Sequence, residues 1–155
     1  MRTLSQLKEN SFSPRIIVIA QARMGSSRLP GKVLKKAGNM AIIEHLAHRV
    51  LSAQLPLEFW IATTDQPSDD PLADYLFPQG VSVFRGDEHD VLKRYYDTAV
   101  QAQAEIVVRV TGDCPLLDPD ELDRVIQVYL DGLTHKNPYD YVTNQAGEVR
   151  QIPRG

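Results

Sequence analysis

Short β-branched runs alternate with helical ladders along this chain, and that alternation is the strongest constraint on its fold. Ile16 to Ala20, Phe59 to Ala62, Val81 to Phe84 and Ile106 to Val110 each read as a short strand, and Tyr139 to Thr143 as the start of a fifth. Between them lie helical patterns. Ala41 to Ala53 carries Ile42, Ile43, Leu46, Ala47, Val50 and Leu51 on one side. Asp70 to Leu76 predicts a short helix. Glu88 to Ala102 predicts a longer one with Val91, Leu92, Tyr95, Tyr96 and Ala99 inward. Asp118 to Leu130 turns Leu122, Val125, Ile126 and Tyr129 inward. Such alternation predicts an α/β fold, a three-layer α/β/α sandwich around a mostly parallel sheet. The 155 residues suffice for one domain with a real core, read over residues 15–155 behind a flexible polar leader at 1–14.

In a parallel sheet the loops after the strands all leave on one edge, and ligands bind there where the strand order reverses. The first such loop carries Arg23, Gly25, Ser26, Ser27, Arg28, Gly31 and Lys32. Glycine lets backbone N–H groups approach an anion, and Arg and Lys neutralise it. The loop therefore suits a polyphosphate. It is not a Walker A loop, because Gly25 and Gly31 enclose five residues and Val33 follows Lys32. No Gly-x-Gly-x-x-Gly occurs either. The plainer alternative is a solvated loop whose cations decorate the surface. The other edge loops are Thr63-Thr64-Asp65, Arg85-Gly86-Asp87 and Thr111-Gly112-Asp113-Cys114-Pro115, and all four are expected to surround one crevice. Asp113 fits a magnesium ligand, since magnesium takes one or two carboxylates beside phosphate oxygens and water. The alternative is a turn aspartate bonding its own backbone.

Other polar residues have ordinary explanations beside sharper ones. Asp118, Pro119 and Glu121 spell a helix start with an N-cap and a capping box. Asp118 and Asp120 also match the Asp-x-Asp spacing of metal-dependent glycosyltransferases. Cys114 has no His near it in sequence and reads as structural rather than nucleophilic. His45 and His48 lie three apart on a helix without a zincin-type Glu, which favours a helix face over a metal site. His89 reads as a first-turn residue, and His135 sits in a polar loop.

Composition narrows the partners. A net charge of −3 argues against nucleic acid and leaves the cations at 23–36 as a local feature suited to a small anion. A single cysteine excludes an intrachain disulfide and favours a reducing, cytoplasmic location. No apolar run approaches membrane-spanning length, so no membrane association is expected.

The run Gln21-Ala22-Arg23-Met24-Gly25-Ser26-Ser27-Arg28-Leu29-Pro30-Gly31-Lys32 resembles the signature of the cytidylyltransferases that activate acidic sugars, the CMP-sialate and CMP-Kdo synthetases. Ala62-Thr63-Thr64, Phe84-Arg85-Gly86-Asp87, Asp90 to Tyr95 and Arg109 to Pro119 bring the resemblance nearer the branch of spore coat polysaccharide biosynthesis protein F. The resemblance implies a nucleotide-diphospho-sugar transferase, Rossmann-like fold. It also implies a reaction in which a sugar hydroxyl attacks the α-phosphorus of CTP with Mg2+ and releases pyrophosphate. Arg23, Ser26, Arg28 and Lys32 would then hold the triphosphate, with Gln21, Ala22, Gly25 and Thr63 beside them. Asp113 would hold the metal, and Arg85 and Gly86 would lie near nucleotide or sugar. Arg23, Lys32 and Asp113 would carry the chemistry. The resemblance also implies that relatives continue past a Pro-Arg-Gly run into a second acidic metal ligand, an acceptor pocket and a dimer contact. This sequence stops at Gly155, so the domain is expected to be incomplete at its C-terminus, with a homodimer as an open assembly. Two further readings stand beside this one: a non-catalytic nucleotide- or partner-binding module, and a glycosyltransferase of the same fold using Asp118 and Asp120.

Overall fold

In the computed structural model, residues 14–26, 28–134 and 138–144 are described. The leader at 1–13, Ser27, His135 and the closing Ile152-Pro153-Arg154-Gly155 lie outside them. The chain order is β1 (Ile16–Gln21), β2 (Lys36–Ala37), β3 (Met40–Ala41), α1 (Ile42–Leu51), β4 (Leu57–Thr64), α2 (Asp70–Leu76), β5 (Ser82–Gly86), α3 (Val91–Gln101), β6 (Ile106–Thr111) and α4 (Pro119–Gly132).

Four strands pair in parallel in the order β5-β4-β1-β6. The chain builds outward from β1 to β5, then crosses back over β1 to lay down β6. The order therefore reverses between β1 and β6. β1 is the central strand, and its Ile16 to Ala20 run is fully buried because helices cover both of its faces. On one face Ile16, Val18 and Ala20 pack with Ile43, Leu46 and Val50 of α1, Leu72 and Leu76 of α2, and Leu122 and Ile126 of α4. On the other, Ile17 and Ile19 pack with Ala62, Tyr95, Ala99 and Ala102 beneath α3. This is the three-layer α/β/α sandwich expected from the alternation.

The elements depart from sequence expectation at instructive places. β4 runs eight residues rather than four, because its pairing with β1 extends from Ile16↔Leu57 to Gln21↔Ala62. A small antiparallel ribbon, β2–β3, turns at Gly38 with φ of 68°, and His45 Nε2 donates to the Ala37 carbonyl at 2.8 Å to tie it to α1. Leu51 lies outside the apolar ladder of α1 and is exposed. On α3 the expected inward residues Val91, Leu92 and Tyr96 are exposed, and the fully buried positions are Arg94 and Thr98. Tyr139 to Thr143 forms no strand. The Tyr139 ring instead lies against Gly132 at the end of α4, where an added Cβ would sit 2.1 Å from it.

Asp118 does cap α4, accepting from Asp120 N at 3.0 Å, with Pro119 in the first turn. Glu121 does not close the capping box, because its carboxylate takes the Arg124 guanidinium instead. A carboxylate does close on the start of α1, where Glu44 Oε2 accepts from Ala41 N at 3.2 Å.

Candidate functional site

The edge of the sheet at the β1/β6 reversal holds a cavity of about 320 Å³. Its floor is the paired strand ends, Gln21 opposite Thr111. Gly112 N donates to Gln21 O at 3.0 Å, which locks the two loops together. Only glycine fits there, since a Cβ at 112 would lie 2.5 Å from Gln21 O and 2.9 Å from Ala22 Cβ.

The basic loop forms one wall. Arg23, Gly25, Ser26, Arg28 and Lys32 line the cavity. Nothing lies within 4 Å of a Cβ at Gly25, which leaves its backbone open. Lys32 crosses the cavity and pairs with Asp113. The bond from the Lys32 ammonium holds the Asp113 carboxyl below the usual carboxylate range, against the opposing effect of burial. Arg23 Nη1 lies 3.3 Å from Glu88 Oε1. Among the described residues Arg28 makes no ion pair.

The opposite wall contains Arg109 and Tyr95, to which the sequence assigned no role in the site. Arg109 stands over the Tyr95 ring with Cζ 5.5 Å from its centroid, and Tyr95 Oη donates to Val110 O at 3.3 Å. Helical spacing alone assigns Tyr95 to the core. Its ring in fact spans the core and the cavity wall, a double use typical of aromatics with a polar tip.

The other predicted residues fall elsewhere. Ala22 is buried beneath the loop, with its N–H on Ala62 O at 3.3 Å. Thr63 is buried and donates to Asp69 at 3.1 Å. Arg85 pairs with Asp70 at 2.6 Å and donates to Thr64 O and Gln66 O at 3.0 and 2.9 Å. Gly86 is packed against Phe84 and Arg94, where a Cβ would meet the Phe84 ring at 2.9 Å. Thr63, Arg85 and Gly86 therefore lie outside the cavity, which is built by two edge loops and α3 rather than by four loops. Cys114 Sγ lies 2.8 Å from Thr111 Oγ1, beside the site.

No cluster of three or more Asp, Glu, His or Cys that could hold a metal exists among the described residues. Asp113 alone faces the cavity as a half-exposed carboxylate among cations. That donor set fits a hard cation arriving with phosphate oxygens and water, as magnesium does.

The fold and this crevice define a doubly wound α/β domain with a cation-lined crevice at its switch point. The chain belongs to the cytidylyltransferase family, whose profile matches residues 17–152. It is 39% identical over 133 residues to spore coat polysaccharide biosynthesis protein SpsF of Bacillus subtilis, covering 83% of this chain and 54% of that one. It is 30% identical over 118 residues to the 3-deoxy-manno-octulosonate cytidylyltransferase of Trichlorobacter lovleyi, covering 75% and 45%. Among solved structures, a cytidylyltransferase from Leptospira borgpetersenii superposes with a TM-score of 0.70 at 34% identity, covering 79% and 50% of the two chains. CMP:2-keto-3-deoxy-manno-octonic acid synthetase in complex with CTP superposes with a TM-score of 0.69 at 25% identity, covering 77% and 49%. The chain spans about half the length of the relatives it matches.

Proposed function

We propose that this domain binds CTP at the β1/β6 crevice and transfers CMP to a hydroxyl of a sugar or sugar acid, with release of pyrophosphate. The observation that carries the reading is the meeting of Lys32 and Asp113 across a cavity whose remaining cations are Arg23, Arg28 and Arg109. The CTP complex of a structurally similar synthetase supports the nucleotide. The likeness to the SpsF protein supports a polysaccharide precursor as the destination, and the single cysteine supports a cytoplasmic setting.

In this reading the acceptor oxygen forms a bond to the α-phosphorus and gives up its proton to solvent, the bond from that phosphorus to the bridging oxygen breaks, and pyrophosphate leaves with the electrons. Arg23, Arg28 and Lys32 neutralise the triphosphate and orient it in line, and Ser26 and the open backbone at Gly25 supply neutral donors. Charge neutralisation and positioning are the main sources of rate in phosphoryl-type transfer. Magnesium bound by Asp113 would add neutralisation of the phosphate oxygens. Lys32 and Asp113 neutralise each other across the cavity, so Lys32 would have to leave this pair to meet a phosphate, which would free the Asp113 carboxylate to hold a cation.

Calorimetric titration with CTP and Mg2+, followed by a pyrophosphate assay over a panel of sugar acids, tests the proposal. Binding with pyrophosphate release is expected. Binding without release assigns the chain a nucleotide-binding role alone, and absence of binding ends the reading.

A further inference from the structure

We propose that Asp69, a residue outside the cavity, is the positioning residue of the basic loop, holding it through the Met24 peptide. The inference rests on the reading of that loop as the triphosphate cradle.

Asp69 ends a 3₁₀ turn, Pro67–Asp69, that follows β4, and it is 1% exposed. Its Oδ1 accepts from Met24 N at 2.6 Å. Its Oδ2 accepts from Thr63 Oγ1 at 3.1 Å, from Thr64 N at 3.2 Å and from the Thr64 hydroxyl. Among the described residues no Lys or Arg pairs with it, and the neighbouring Asp70 takes Arg85 instead. A buried carboxylate without a counter-ion is costly unless its oxygens are saturated with donors. Burial pushes the Asp69 carboxyl up, but the bonds from Thr64, Met24 and Thr63 outweigh it and hold the group below the usual carboxylate range.

The partner on the loop side is the informative one. Three of the donors come from the last two residues of β4, local to Asp69. The fourth comes from Met24, 45 residues earlier. The carbonyl of that same residue accepts from Ser26 N and from Gly31 N, both at 2.9 Å. Gly31 has φ of 67°, which suits glycine, and a Cβ there would lie 3.3 Å from Met24 Cε. Residue 24 thus closes the loop with its carbonyl and fixes the closed loop to β4 with its N–H. Arg28 stands inside the closure and Lys32 just beyond it.

A buried carboxylate that serves stability alone would loosen the whole domain when removed. A positioning residue loosens the loop selectively and weakens the ligand. The test compares Asp69→Ala with Thr63→Val, which removes one bond to Oδ2 and keeps the Met24 anchor. Amide hydrogen exchange is followed at Met24, Ser26 and Gly31 against the β1 amides, and CTP affinity is measured with Mg2+ by calorimetry. Asp69→Ala is expected to speed exchange at the three loop amides by about tenfold relative to β1 and to weaken CTP by about tenfold or more. Thr63→Val is expected to change both by less than about threefold. Loop amides that keep their protection relative to β1 in folded Asp69→Ala overturn the proposal, as does CTP affinity left unchanged there. Should Asp69→Ala fail to fold, Asp69→Ser, whose shorter side chain withdraws the acceptor from Met24 N while keeping a hydroxyl beside Thr64, is judged by the same ratio of loop to β1 exchange. The exchange comparison needs no nucleotide. Wild-type protein that does not bind CTP would therefore end the functional reading while the exchange ratio still decides the role of Asp69 in the loop.

Discussion

Two pairs of edge loops leave the same side of one sheet, and both are rich in charge, yet only one pair is open to a ligand. After β4 and β5 the charged groups are engaged with one another and with backbone. Arg85 is held by Asp70 and two carbonyls, and Asp87 accepts from the N–H groups of His89 and Asp90 at 2.7 and 3.0 Å. Arg94 reaches back from α3 to the carbonyls of Asp87 and Glu88. After β1 and β6 the cations outnumber their local partners. Among the described residues Arg28 makes no ion pair and Arg109 stands over an aromatic face, while Lys32 and Asp113 hold each other across the gap. A charged loop becomes a site when its polar groups are not already satisfied from within, and strand order decides which loops have that freedom. At the switch point the chain diverges and leaves a gap, whereas β4 and β5 are consecutive neighbours whose loops close on each other.

The largest expected effect lies in the satisfied region. Arg94 is fully buried, packs its stem against Gly86, and holds two turn carbonyls, although its Nε and Nη2 have no partner among the described residues. Arg94→Ala leaves both a cavity and two orphaned carbonyls, and urea unfolding should show a loss of about 3 kcal/mol. A loss below about 1 kcal/mol would mean that the turn after β5 is held by other contacts and that the contrast between the regions is overstated. Gly112→Ala comes next and strikes the open region. Its Cβ would press on the Gln21 carbonyl, which belongs to backbone and cannot swing away, so about 2 kcal/mol of stability should be lost as β1 and β6 part. The open site should lose CTP affinity as well.

Affinity itself sharpens the comparison. Arg28→Ala removes a cation that makes no ion pair among the described residues, and CTP binding should weaken by about 1.5–3 kcal/mol if the guanidinium bonds a phosphate. Arg85→Ala removes a cation already engaged by Asp70, and CTP affinity should stay within about twofold. Equal losses from the two variants in calorimetry would abolish the distinction between the loop pairs.

How much of this was legible in the sequence depends on how local each feature is. The basic loop could be read directly, because its glycines, hydroxyls and cations are contiguous. Asp113 could be read because strand alternation places the end of β6 on the same edge. The engagement of Arg85 could not, since its partner Asp70 lies on α2 and looked like a helix-start residue. Asp69 was hidden for the same reason, with the decisive donor 45 residues away in sequence. On α3 the apolar pattern located only part of the inner face, since Tyr95 and Ala99 pack inward while Val91, Leu92 and Tyr96 are exposed. The inner face also passes through Arg94 and Thr98, whose polar ends find carbonyls while their stems pack, so counting Arg as polar left it out of the predicted face.

The smallest expected effect separates two chemistries for Asp118. Its carboxylate accepts from Asp120 N at the start of α4, beside the open loop pair but outside the cavity lining. A cap loses about 1 kcal/mol of stability on Asp118→Ala and leaves the ligand alone. A metal-holding Asp-x-Asp pair would lose cation-dependent nucleotide binding outright while the fold stayed intact. Parallel urea and CTP titrations of this one variant distinguish the two. A cap-sized stability loss with unchanged affinity would limit the functional carboxylates after β6 to Asp113, five residues upstream on the same loop, whose charge is turned toward Lys32 rather than toward the N–H groups of a helix.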